Sequence, residues 1–254
     1  MGNKQWVQAV AQGRSPRMLW LAEEWGSAPA APLAGSDGRQ ADGVVAPANP
    51  WVLAECFGAA GPQAPAGTAI HFLAGSDEIP CRCLIPTEQN RAIAAALAAA
   101  GRLRGRVPEE LALFAPLQGP FSLACQLRGS GLLEDLTQKP GYVGDLMDFC
   151  AEAVIRLAGM YLQAGMDGLL VLDPCLALLS PGRDQGVLAD GYHALFDYIR
   201  ASGALSILSV PGGQAELLAM LSGLGADLLR GDDLGAHAAG TGRAGTGSEV
   251  GVRD

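Results

Sequence analysis

A chain of 254 residues, 49% apolar and 17% charged, can bury the core of one large domain or two small ones. Its 26 acidic side chains outnumber 17 basic ones, and the formal net charge of -9 excludes a general phosphate-tracking groove and with it a nucleic-acid partner. No run reaches the roughly 20 uncharged apolar residues of a membrane span, and Met1–Trp6 lacks the apolar core of a secretion signal, so a soluble cytoplasmic protein with reduced thiols and no membrane partner is expected.

Trp6, Val7 and Val10 space a short helix over residues 3–12, and Met18–Leu21 follows as the first strand. Residues 26–42, rich in Pro, Gly, Ser and Ala, read as a loop. Val44–Ala46 is the second strand. Asn49 and Pro50 then supply an N-cap and an N1 proline for a helix over Trp51–Cys56, which Gly58 ends. Ala69–Leu73 and Arg82–Ile85 read as short extended pieces, and Glu88–Leu103 as an alanine-rich helix. Leu111–Leu117 is apolar throughout, the pattern of a parallel strand covered on both faces. Val143, Leu146, Met147, Cys150, Val154, Leu157 and Tyr161 recur mostly at three- and four-residue spacing, giving a long amphipathic helix entered through Pro140. Leu169–Leu172, Leu205–Val210 and Asp227–Leu229 are further strands, separated by helices over Gly186–Ile199 and Gln214–Leu224. Strands alternating with helices imply α/β architecture, a parallel sheet or (β/α) barrel.

One joint recurs. Asp42, Asp167 and Asp227 each stand at the start of an apolar strand, in Ala41-Asp42-Gly43, Met166-Asp167-Gly168 and Ala226-Asp227-Leu228. Polar residues also follow the strands: Asn49, Asp173, and the pair Asp232 and Asp233. In a (β/α) barrel the C-terminal rim faces the active site, while the same residues also suit helix capping. The six cysteines contain no C-x-x-C pair. Cys81-Arg82-Cys83 with His71 offers three ligands, yet a C-x-C in a strand lacks the turn geometry of a metal knuckle, so no metal is expected. Beyond residue 233 periodic apolar residues cease, dividing the chain into a domain over 1–233 and a disordered tail over 234–254.

Several spaced motifs together resemble the uroporphyrinogen decarboxylase superfamily, and within it the branch of cobalamin-dependent methyltransferases. Gly119-Pro120-Phe121-Ser122-Leu123-Ala124 resembles the family's G-P-[FW]-[ST]-L-A turn. Gln163–Gly168, running on to Leu172-Asp173-Pro174 and Ser180-Pro181, is similar to the methyltransferase branch's G-A-D, apolar strand, D-P and later S-P. Ala54-Glu55 and Gly58, following Asn49, resemble its A-E-x-x-G segment. The resemblance spans roughly Trp6 to Leu229 and implies a (β/α) TIM-type barrel, incomplete because the last strands and helices of the family barrel have no counterpart. The open edges of such a barrel would be covered by a partner or a second copy, as a homo-oligomer.

The departures define the expected chemistry. The decarboxylases' carboxylate-binding R-Q-A-G-R segment falls on the acidic Glu23-Glu24-Trp25-Gly26, their active-site aspartate on Asn49, and a tyrosine on Gln126. The methyltransferases' zinc-binding H-x-C falls on Ser209 and Pro211, so no zinc is expected. The resemblance therefore implies catalytic or orienting roles for Asp173 and Asn49, with Gln126 and Ser209 lining a small-molecule pocket. It further implies methyl transfer to a small acceptor from a corrinoid carried on a partner protein, with no cofactor tightly bound to this chain. Uroporphyrinogen decarboxylation in porphyrin biosynthesis and a non-catalytic, corrinoid-protein-binding accessory role are the alternatives.

Overall fold

The computed structural model describes residues 9, 19–23, 42–59, 73–179, 185–212, 215–231 and 235–238. The apolar runs become strands that pair in parallel in chain order: β1 (Leu19–Glu23), β2 (Gly43–Val45), β3 (Ala112–Gln118), β4 (Gly168–Leu172), β5 (Leu205–Ser209) and β6 (Leu228–Arg230). A last short strand, β7 (Gly235–Ala238), runs antiparallel to both β6 and β1 and returns the sheet on itself. Among the described residues the series holds six parallel strands where a full barrel has eight, so the fold is an incomplete TIM-type α/β barrel. β7 thus pairs the flanking edges of β1 and β6 and lies within the stretch read from sequence as a tail. Residues 239–254 lie outside the described residues, as does most of the segment 1–18; of the helix expected at 3–12 only Ala9 is described, and it is helical.

The helices are α1 (Val52–Cys56), α2 (Arg91–Arg104), α3 (Pro120–Arg128), α4 (Leu132–Gln138), α5 (Pro140–Gln163), α6 (Gln185–Ala201) and α7 (Ala215–Leu221). Helix α2 starts later than the alanine-rich run suggests because Asn90 caps it, its side-chain oxygen accepting from the Ala92 and Ile93 N–H groups. The G-P-F-S-L-A segment, read as a turn, opens α3 with proline at its first position. The pieces expected to be extended at 82–85 form instead a 3-10 turn over Arg82–Leu84.

Strand side chains alternate between two apolar layers. Val45, Ala112, Phe114, Leu170, Ile207 and Leu228 fill the barrel interior, while Leu113, Leu117, Leu169, Val171 and Leu208 face the helices, above all α5 through Val154, Leu157 and Tyr161. Phe114 occupies the interior only because Gly168 faces it: a Cβ there would lie 2.5 Å from the ring and 2.7 Å from the Leu205 carbonyl oxygen. At the foot of the barrel the recurring aspartates reach sideways to the preceding strand. Asp167, before β4, accepts from the Leu113 N–H of β3 at 2.9 Å, and Asp227, before β6, accepts from the Ser206 N–H and hydroxyl of β5. Asp167 is also paired with Arg104 at the end of α2, at 2.8 Å.

Candidate functional site at the barrel rim

Alternation along the strands decides which residues look into the barrel at its C-terminal end. Gln118 shares the inward parity of Phe114, Ser209 that of Ile207, and Arg230 that of Leu228. Register sets them in one row across four strands: Gln118 lies opposite Leu172, Leu172 opposite Ser209, and Ser209 opposite Arg230. The Asn49-Pro50 turn continues the row, because the Gln118 N–H donates to the Pro50 carbonyl at 3.1 Å. An amide, a hydroxyl and a guanidinium thus line one rim, with the apolar Leu172 between them.

Gln118 is fully buried, and neither amide atom has a hydrogen-bond partner among the described residues. Leaving such groups unpaired costs about 1–3 kcal/mol each, and a side chain able to donate and accept at one barrel mouth is equipped for a polar ligand. Sequence reading missed Gln118 and Arg230. The available signal was parity, since each is the last, polar residue of an apolar strand and stands an even number of positions from an interior residue.

Of the residues expected from sequence, Ser209 and Asn49 fall at this rim. Asn49 is exposed, and its side-chain oxygen accepts from the Trp51 N–H at 3.0 Å in the turn before α1; the helix itself begins later than expected, at Val52, with Trp51 rather than Asn49 at its N-cap. Gln126 lies along α3, half-buried, and its Oε1 has no hydrogen-bond partner among the described residues.

Asp173 is turned away from the mouth. Its parity is opposite to that of Leu172, and it points into the layer between sheet and helices, fully buried. The Ser122 N–H and hydroxyl donate to Oδ1 at 2.9 and 2.5 Å, and the Phe121 N–H donates to Oδ2 at 3.2 Å. The Tyr192 hydroxyl of α6 donates to Oδ2 as well. The carboxylate thereby caps the N-terminus of α3 from a neighbouring strand, where free N–H groups and the helix dipole favour an anion. Burial pushes its carboxyl up to about 6, against the pull of these donors. Gly119 completes the joint, since a Cβ would lie 1.9 Å from Asp173 Oδ2. The spaced G-P-F-S and D-P motifs are therefore the two halves of one strand-to-helix clasp.

Beside this clasp lie three thiols. Burial holds the Cys150 thiol well above its usual range, and the hydrogen bond from Cys125 lowers Cys175 to about 7. His193 gives Ser209 no base, because its Nε2 pairs with the Gly223 carbonyl at 2.9 Å on the outer surface. Zinc chemistry finds no fit at the end of β5, where Ser209 and Pro211 offer a neutral hydroxyl and no side-chain donor in place of imidazole and thiolate. Two surface clefts lie elsewhere, one at the barrel foot along Asp167 and Leu205 and one between Glu55 and Arg91.

A parallel α/β barrel with its polar row at the C-terminal rim defines a TIM-type domain with the site position common to that class. The family model for uroporphyrinogen decarboxylase (URO-D) matches residues 81–239, more than half of the chain, and the chain belongs to that family. Among solved structures it is similar to a methyltransferase from Methanosarcina mazei, with a TM-score of 0.60 and 20% identity over 74% of this chain and 56% of that one. That likeness is one of fold, and this chain spans little more than half the length of the methyltransferase. A search of curated proteins gives no match. No helix among the described residues is long and apolar enough to cross a membrane.

Proposed function

We propose that this chain is a cytoplasmic, divergent enzyme of the uroporphyrinogen decarboxylase family that binds a small polar acceptor at the barrel rim for methyl transfer from a corrinoid carried on a partner protein. The observation that carries the reading is Gln118, fully buried at the mouth with neither amide atom partnered among the described residues. The methyltransferase neighbour and the D-P and S-P motifs support methyl transfer over decarboxylation. In this reading the corrinoid supplies the methyl group, Gln118 and Ser209 orient the acceptor by hydrogen bonds, and Arg230 favours an acceptor with anionic character. Asp173 is a positioning residue that fixes the start of α3 beside the rim.

The test is binding of methylcobalamin and of candidate acceptors, a small thiol or a reduced folate, to the whole chain. Corrinoid absorbance that changes only when an acceptor is present supports the enzyme. A bound but unreactive corrinoid supports an accessory binding protein, and release of carbon dioxide from uroporphyrinogen supports decarboxylation.

A further inference from the structure

The 3-10 turn that precedes α2 places two exposed thiols together. Cys83 donates a hydrogen bond to Cys81 across 2.9 Å between the sulfurs. The turn itself fixes the pair: the Leu84 N–H donates to the Cys81 carbonyl at 2.8 Å, and Ile85, next in sequence, is buried in the main core. A disulfide needs an S–S distance of about 2.05 Å, so closure asks for roughly 0.9 Å of movement in an exposed turn. A tetrahedral zinc site, with Zn–S of about 2.3 Å, instead holds its thiolates farther apart than they stand here. No third ligand completes such a site, since no group of three metal-binding side chains occurs among the described residues.

We propose that Cys81 and Cys83 form a redox-active dithiol that is oxidised to an intramolecular disulfide by small-molecule or protein disulfides. The hydrogen bond from Cys83 favours the Cys81 thiolate and holds the Cys83 thiol protonated, which assigns attack to Cys81 and resolution to Cys83. The Cys81 thiolate attacks one sulfur of a disulfide RS–SR; that S–S bond breaks and RS⁻ leaves. Cys83 then gives up its proton, its sulfur attacks Cys81 Sγ, and the mixed disulfide breaks to release a second RS⁻. The pair loses two electrons and two protons, the reagent becomes two thiols, and the protein holds one new S–S bond. Nothing in this step involves the barrel rim.

Oxidised glutathione added to the reduced full chain, followed by denaturing alkylation and mass spectrometry of the fragment containing Cys81 and Cys83, tests the proposal. The expected fragment is two hydrogens lighter, unalkylated and free of glutathione. In Cys83→Ser glutathione remains on Cys81, and in Cys81→Ser glutathione addition at Cys83 is slower by about tenfold. Both variants lie at exposed positions, and circular dichroism verifies their fold. Separate alkylation of both thiols after excess oxidant, glutathione retained on the wild-type pair, or a bound zinc that blocks both thiols would each overturn it.

Discussion

Asp173 shows how an aspartate after an apolar strand can serve packing. Its two oxygens receive four donors from α3 and α6, so Asp173→Ala strands the buried Ser122 N–H and two hydroxyls, while the Phe121 N–H keeps the Tyr192 hydroxyl as an acceptor, and is expected to cost about 3–5 kcal/mol in denaturant unfolding. Its titration gives a second expectation. The carboxyl stands at about 6 in the folded chain against its ordinary 3.8, so the folded state binds the proton more tightly. The associated stabilisation is complete below about pH 4 and is lost as pH rises through 6, by something on the order of 3 kcal/mol. Unfolding of the wild type and of Asp173→Asn across pH 4 to 7 checks this, since only the wild type carries the slope. The residue was singled out in the sequence for being polar and following a strand, and that signal does not distinguish the mouth from the layer behind it. Period-two alternation does: it turns Leu172 inward and Asp173 outward, and it selects Gln118 and Arg230.

Strands were legible as uninterrupted apolar runs, and the long helix α5 as a periodic stripe, because burial on two faces or one imposes those patterns directly. The recurring aspartates were legible as a joint, and for two of them the structure supplies the physics: Asp167 and Asp227 each satisfy a backbone N–H of the preceding strand where the parallel ladder begins. Asp167→Ala removes that acceptor and the partner of Arg104 together, and a loss of about 2–3 kcal/mol in chemical denaturation is expected, with Asp227→Ala acting similarly at β5. Helix α3 was not legible because it takes its N-terminal acceptor from Asp173, 51 residues beyond Ser122, and a cap supplied from that distance leaves no local capping residue. The C-x-C turn escaped for a related reason: two thiols separated by one residue read as one face of a strand until a 3-10 bond closes the backbone between them.

Closure of the barrel rests on a short element that polar composition concealed. β7 pairs with both β6 and β1, so truncation before Leu234 is expected to unpair both strands and lower the thermal midpoint by several degrees. Truncation after residue 239 removes only sequence without periodic apolar residues and should leave the midpoint nearly unchanged. The rim admits a cleaner separation of stability from activity. The Gln118 amide has no hydrogen-bond partner among the described residues, so Gln118→Leu should leave stability equal or slightly raised. The most direct measurement is therefore the acceptor-dependent change in methylcobalamin absorbance, compared between the wild type and Gln118→Leu at equal folded concentration. Methyl transfer by the wild type that falls at least about tenfold in the variant, the scale of one lost orienting hydrogen bond, is the predicted result; an inactive wild type, or a Gln118→Leu protein that transfers as fast, would contradict it.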